Sequence, residues 1–292
     1  MSMYVKIWGV RGSVPVPGPS TIRYGGNTSC LEVYNDEGGR VILDAGTGIR
    51  ALGTNLDFSK KHTIDILLSH SHWDHIHGLL FFPLIFMKGH TITVYGPRTY
   101  EYSLEEILRG QMRYTYFPIR MDELSSPLNA VELTEGKPFD ISGFHINTIS
   151  LNHPVKCFAY RIEHKGKVFV YLADNEPYYN IYGNDDPDIN LFAEDMNRSL
   201  IKFVGNADCV IADAQYLPAE YPKKKGWGHS TTHQVVNMAL KAKIKNIVFS
   251  HYDPTRTDDE LDAIVKHYRS IVAQKGYSLK VDAAIEGSVI KL

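Results

Sequence analysis

Cysteine is scarce, with three residues, Cys30, Cys157 and Cys209, in a chain of 292. None belongs to a Cys-x-x-Cys pair, and an odd number does not close into a disulfide framework, so buried free thiols are expected. An excess of charge is missing too. The 31 basic and 33 acidic residues are mixed along the chain and leave a net charge of -2. No global field draws such a chain onto DNA or RNA, so a long nucleic-acid partner is disfavoured. The one basic run, Lys223-Lys224-Lys225, reads first as a solvated loop. No apolar run approaches the roughly 18 residues of a membrane span, and no charged segment followed by an apolar stretch opens the chain. A cytoplasmic protein without membrane contact is the expectation. Low-complexity tracts are lacking as well, and a hydrophobic fraction of 43% is enough for a sizeable core.

What is present are short apolar runs. Tyr4–Trp8, Val41–Leu43, Ile64–Leu68, Ile92–Tyr95, Phe144–Ile149, Phe158–Ile162, Val168–Leu172, Cys209–Ile211 and Ile247–Phe249 are rich in β-branched residues and read as strands. Helical signals come mostly later. Thr257-x-x-Glu260 is a capping box ahead of a stripe formed by Leu261, Ile264, Val265, Tyr268 and Ile271. Ser230 and Thr231 can cap a second helix with Val235, Val236, Ala239 and Leu240, and Ser103-x-x-Glu106 opens a third. Strand groups before about Tyr95 and after about Phe139, with helices outside them, predict a layered α/β sandwich. One domain over 1–292 is expected, with an inserted helical and aromatic segment at Arg98–Asn129. Its Tyr100, Tyr102, Tyr114, Tyr116 and Phe117 read as packing for that helix; a lid or the arm of a homodimer is the sharper alternative.

The chemistry concentrates after the third of these runs. His70-Ser71-His72-Trp73-Asp74-His75 places four ligand-type side chains within six positions of a strand end. A lone histidine is ordinarily a surface or core residue, but four such groups together are not. His153, Asp174 and His251 follow later strands in the same way, so each strand delivers a ligand to one rim. Imidazole and carboxylate suit zinc, with manganese or iron as alternatives, better than magnesium or calcium.

The pattern His70-x-His72-x-Asp74-His75 with a later His, Asp and His resembles the metallo-β-lactamase superfamily. The resemblance implies an αββα sandwich holding two divalent metal ions between the sheet edges. By position, His70, His72 and His153 would hold one ion, Asp74, His75 and His251 the other, and Asp174 both. An aspartate at 174 in place of a cysteine is similar to the hydrolase and phosphodiesterase branches and unlike many true β-lactamases. Gly228-His229-Ser230-Thr231 followed by a helix and Ser250-His251 resembles the phosphodiesterase group that includes ribonuclease Z and cyclic-phosphate esterases. That likeness implies that His229 contacts the scissile phosphate and protonates the leaving oxygen, with Asp213 orienting it; the metal-hydroxide mechanism separately gives Asp74 the role of orienting the attacking hydroxide. A simple helix cap is the alternative reading of His229-Ser230-Thr231.

The resulting expectation is metal-dependent hydrolysis of a phosphodiester, a small one such as a cyclic nucleotide, by a hydroxide shared between the ions. A ribonuclease Z-like RNA endonuclease is the alternative, although only two strands fit between His153 and Asp174, with no room for a long RNA-gripping arm. A thioester or lactone hydrolase and a metal-stabilised scaffold are the readings from other classes. Asp44 and its following glycines are expected beneath the site, and Gly12–Pro15 and Gly25–Thr28 at a pocket edge or in plain turns. His77, His90, His145, His164 and His267 read as ordinary surface or core residues.

Overall fold

The structure is a computed structural model and describes residues 2–181 and 186–292. Its first sheet is built from β1 (Met3–Gly9), β2 (Cys30–Asn35), β3 (Arg40–Leu43), β4 (Thr63–Leu67), β5 (Thr91–Gly96) and β6 (Leu128–Glu132). The second contains β7 (Phe139–Ile141), β8 (Phe144–Ser150), β9 (Phe158–His164), β10 (Lys167–Leu172), β11 (Cys209–Asp213), β12 (Asn246–Ser250) and β13 (Lys280–Ala283). The chain then returns to the edge of the first sheet as β14 (Val289–Lys291). Strand orders are β14-β1-β2-β3-β4-β5-β6 and β13-β12-β11-β10-β9-β8-β7. Strands β3 to β6 run parallel to one another, as do β10 to β13.

Burial explains why these segments read as nearly continuous apolar runs. Along β3, Val41 and Leu43 enter the core shared with the second sheet, while Ile42 enters a separate core beneath the outer helices. On β4, Leu67 faces inward while Ile64 and Ile66 face outward, the period of two expected of a strand. Both faces of the sheet are therefore covered, as a parallel sheet requires. The outer layers are α1 (Gly48–Thr54), a single turn α2 (Trp73–Ile76) and α3 (Leu104–Gln111) on one side, and α4 (Pro187–Phe203), α5 (Thr232–Lys241) and α6 (Asp258–Gln274) on the other. This is the four-layer αββα arrangement that the sequence predicts.

All three predicted caps form. Ser103, Thr231 and Thr257 each accept from the backbone N–H three residues on, and Glu106, Gln234 and Glu260 reach back to complete capping boxes. The segment at 98–129 is the connection from β5 to β6, so its last two residues already lie in a strand. Packing accounts for only one of its five aromatics. Phe117 is buried against Phe81 and Phe86, whereas Tyr100, Tyr102, Tyr114 and Tyr116 are exposed. Among the described residues no helix is long and apolar enough to cross a membrane.

Candidate metal centre

Every clustered side chain except His229, which lies just before α5, stands at the carboxyl end of a strand, where a parallel sheet opens a crevice. Asp44 follows β3, the His70–His75 run follows β4, His153 follows β8, Asp174 follows β10, Asp213 ends β11 and His251 follows β12. Asp44 and His251 take φ values of 58° and 56°, the left-handed region that non-glycine residues adopt at a cost. That turn aims both side chains back across the strand ends, into the site.

The seven predicted ligands come together as two nests. Donor atoms of His70, His72, His153 and Asp174 lie within 4.8 Å of one another, as do those of Asp74, His75, Asp174 and His251. Asp174 belongs to both. Its Oδ2 lies 3.4 Å from His70 Nε2, and its Oδ1 lies 3.3 Å from His75 Nε2 and 3.1 Å from His251 Nε2. In the second nest Asp74 Oδ2 is 3.0 Å from His251 Nε2 and 3.3 Å from His75 Nε2.

Groups behind the nests decide which imidazole nitrogens face inward. Gly228 O can only accept, so His153 Nδ1 donates to it across 3.0 Å and leaves Nε2 without a proton, 2.9 Å from His72 Nδ1. Gln215 Oε1 and Asp44 Oδ2 stand 3.0 and 2.7 Å from the Nδ1 atoms of His251 and His75. Both Nε2 atoms are thereby turned inward, 3.2 Å apart. Asp44 is itself fixed by the N–H and hydroxyl of Ser69 and by the hydroxyl of Tyr171.

Two tests show that the donor set suits cations. His70 Nε2 and Asp174 Oδ1 are buried without a hydrogen-bond partner, the state of an atom reserved for coordination. Electrostatics agree. Burial opposes charge on His75, but Asp174, Asp74 and Asp44 outweigh it and hold the imidazole well above its ordinary value. Burial would likewise raise Asp174, yet His251, His75 and His70 keep it well below the carboxylate range. The second nest therefore favours positive charge, whereas burial lowers the proton affinity of His70 and His72 in the first. His153, with burial as the leading cause, is pushed down to about 4 and offers a neutral ligand nitrogen.

His229 lies beside both nests. Its Nδ1 is 3.1 Å from Asp213 Oδ2 and 3.9 Å from Asp174 Oδ2. Burial lowers its proton affinity, but Asp213, Asp174 and Asp74 outweigh that effect and raise the pKa to about 9. Asp213 is held in turn by the N–H groups of Asn175, Gln215 and Ser230.

Sequence reasoning overlooked Glu176, which is 2% exposed. Its carboxylate accepts from the Tyr221 hydroxyl at 2.5 Å and from the N–H groups of Gly226 and Gly228 at 3.0 and 3.1 Å. Its own N–H donates to Asn152 O, next to His153. The residue thus ties the 221–228 loop to the bases of two nest strands. Its position two residues after Asp174 was the available signal. The loop at 12–15 also reaches the site, because the N–H of Ser13 donates to Asp74 Oδ2 across 2.7 Å.

A family described as the β-lactamase superfamily domain matches residues 39–252. Ribonuclease Z of Bacillus cereus (strain AH187) is 23% identical over 275 residues, covering 82% of this chain and 87% of that protein. The metallo-β-lactamase fold protein YhfI from Bacillus subtilis superposes with a TM-score of 0.70 at 21% identity, over 100% of this chain and 99% of its own. Unliganded yeast PDE1 superposes with a TM-score of 0.72 at 14% identity, again over 100% and 99%. The matched span contains both nests, Asp44, Glu176 and His229, and by that match the chain belongs to the β-lactamase superfamily, built on the metallo-β-lactamase fold.

Proposed function

We propose that the chain is a dinuclear metal-dependent phosphodiesterase acting on a small phosphodiester such as a cyclic nucleotide. The observation that carries this reading is Asp174, whose two oxygens face different nests while His229, paired with Asp213, stands alongside. His70, His72 and His153 would hold one divalent ion and Asp74, His75 and His251 the other, with Asp174 shared. Zinc fits the nitrogen-rich first nest, and manganese or iron suits the same donors. Bound there, the ions supply charge for the non-bridging oxygens and activate water at neutral pH.

The chain's own groups do the rest. Asp174 fixes the spacing of the nests. Asp74, with Oδ2 steadied by the Ser13 N–H, orients the attacking water on the side away from the leaving group. His229 uses Nδ1 on Asp213, which leaves Nε2 to give a proton to the departing alcohol. No serine or cysteine nucleophile is needed.

The likeness to a ribonuclease Z supports an RNA endonuclease as the second reading. The balanced charge favours the small substrate. Three free, buried cysteines support a reducing, cytoplasmic setting.

A screen of 2′,3′- and 3′,5′-cyclic nucleotides, cyclic dinucleotides, short RNA, bis(p-nitrophenyl) phosphate and a lactone panel, with Zn or Mn added, tests the proposal. Turnover of a cyclic nucleotide is expected, falling by about 10²–10⁴-fold in His229→Ala with metal content retained. Lactone turnover indifferent to His229→Ala would replace the proposal with the acyl-hydrolase reading.

A further inference from the structure

We infer that the cleft beside Asp74 is a subsite for a flat, uncharged ring carried by the substrate, with Trp73 as its platform. The subsite presupposes the phosphodiesterase reading and specifies what the ester carries. Of the three tryptophans, Trp8 is 8% exposed, whereas Trp73 and Trp227 are 60% and 57% exposed. Both exposed ones adjoin the first nest. Trp73 sits between His72 and Asp74, and Trp227 precedes Gly228, whose carbonyl fixes His153.

Trp73 also lines a cleft of about 310 Å³ with Val14, His77, Ser13 and Thr47, and Asp74 forms part of the same wall. Asp74 is the one carboxylate among the described lining residues, and neither lysine nor arginine lines the cleft. Such a lining brings no lysine or arginine to a second anionic group, but sets the three hydroxyl residues Ser13, Thr28 and Thr47 around an aromatic face. The volume lies at the small end of the ligand-pocket range of about 300–1,000 Å³ and suits one ring system better than a polymer.

The platform is braced by neighbouring rings, beginning with His77 in the cleft wall. The His77 ring stands perpendicular to the indole at 6.2 Å, Phe81 perpendicular to His77 at 5.9 Å, and Phe117 perpendicular to Phe81 at 5.9 Å. An edge-to-face ladder of this kind fixes the indole in place while more than half of it stays open to solvent. Stacking on a held aromatic face tolerates many ring types, so Trp73 would select for a ring without dictating which one.

Three esters sharing p-nitrophenolate as leaving group test this on the metal-loaded chain: the methyl, phenyl and thymidine 5′ p-nitrophenyl phosphates. In Trp73→Ala the kcat/KM advantage of an ester that carries a ring on the retained, non-leaving side over the methyl ester should fall about 10-fold or more, and Trp73→Phe should retain most of it. A loss confined to the thymidine ester identifies the ring as a nucleobase; an equal loss for phenyl identifies a simple aryl group. An unchanged ratio in Trp73→Ala overturns the subsite. If the parent protein cleaves none of the three, the phosphodiesterase reading fails. Quenching of indole fluorescence by thymidine 5′-methyl phosphate, present in the parent and lost in Trp73→Phe, then still decides the subsite.

Discussion

His153 Nδ1 donates to the carbonyl oxygen of Gly228 across 3.0 Å, and Gly228 is the residue at which the chain turns back toward His229. Its φ of 84° suits glycine, and a Cβ there would overlap the His153 ring. Gly228→Ala should therefore cost about 1–2 kcal/mol in backbone strain and displace His153. Metal affinity of the first nest is expected to fall about 10-fold or more, read by competition with a chelating dye. Parent affinity in a folded Gly228→Ala protein would show that this contact does not position the ligand.

Glu176 makes a separable prediction. Glu176→Ala deprives two backbone N–H groups and the Tyr221 hydroxyl of their acceptor, each costing about 1–3 kcal/mol if it stays buried. The cheaper outcome is release of the 221–228 loop. Trypsin should then cut after Lys223, Lys224 or Lys225 much faster than in the parent. Turnover should fall about 10–100-fold, and Glu176→Gln, which keeps one acceptor oxygen, should lie between the two. A uniform drop in thermal stability with parent turnover per folded molecule would assign Glu176 to the fold alone.

The fold and the nests were legible for one shared reason. Strand runs such as Ile64–Leu68 and Ile247–Phe249 end immediately before His70 and His251, so the chemistry and the elements that aim it are contiguous. Less accessible were elements whose patterning is mixed. Strand β2 carries Glu32 in its buried pattern, neutralised by Arg40 and bonded by the Trp8 indole N–H, partners invisible in a local window. Helix α4 buries only Ala193 and Leu200 and so lacks a full stripe, although Asp186 before Pro187 marks its start. Two of the groups that set the histidine tautomers were hidden for the same reason. Gly228 serves His153 and Gln215 serves His251 from far along the chain, whereas Asp44, expected beneath the site, is found there against His75. His77, read from sequence as an ordinary side chain, lies in the cleft against Trp73.

The proposal that Asp174 is shared by two ions is most directly tested by counting metal. Elemental analysis of the chain purified without added metal, and again after incubation with Zn or Mn and desalting, should approach two ions per chain, and Asp174→Ala should fall below one. A parent protein that stays folded yet retains no transition metal under either condition would contradict the account.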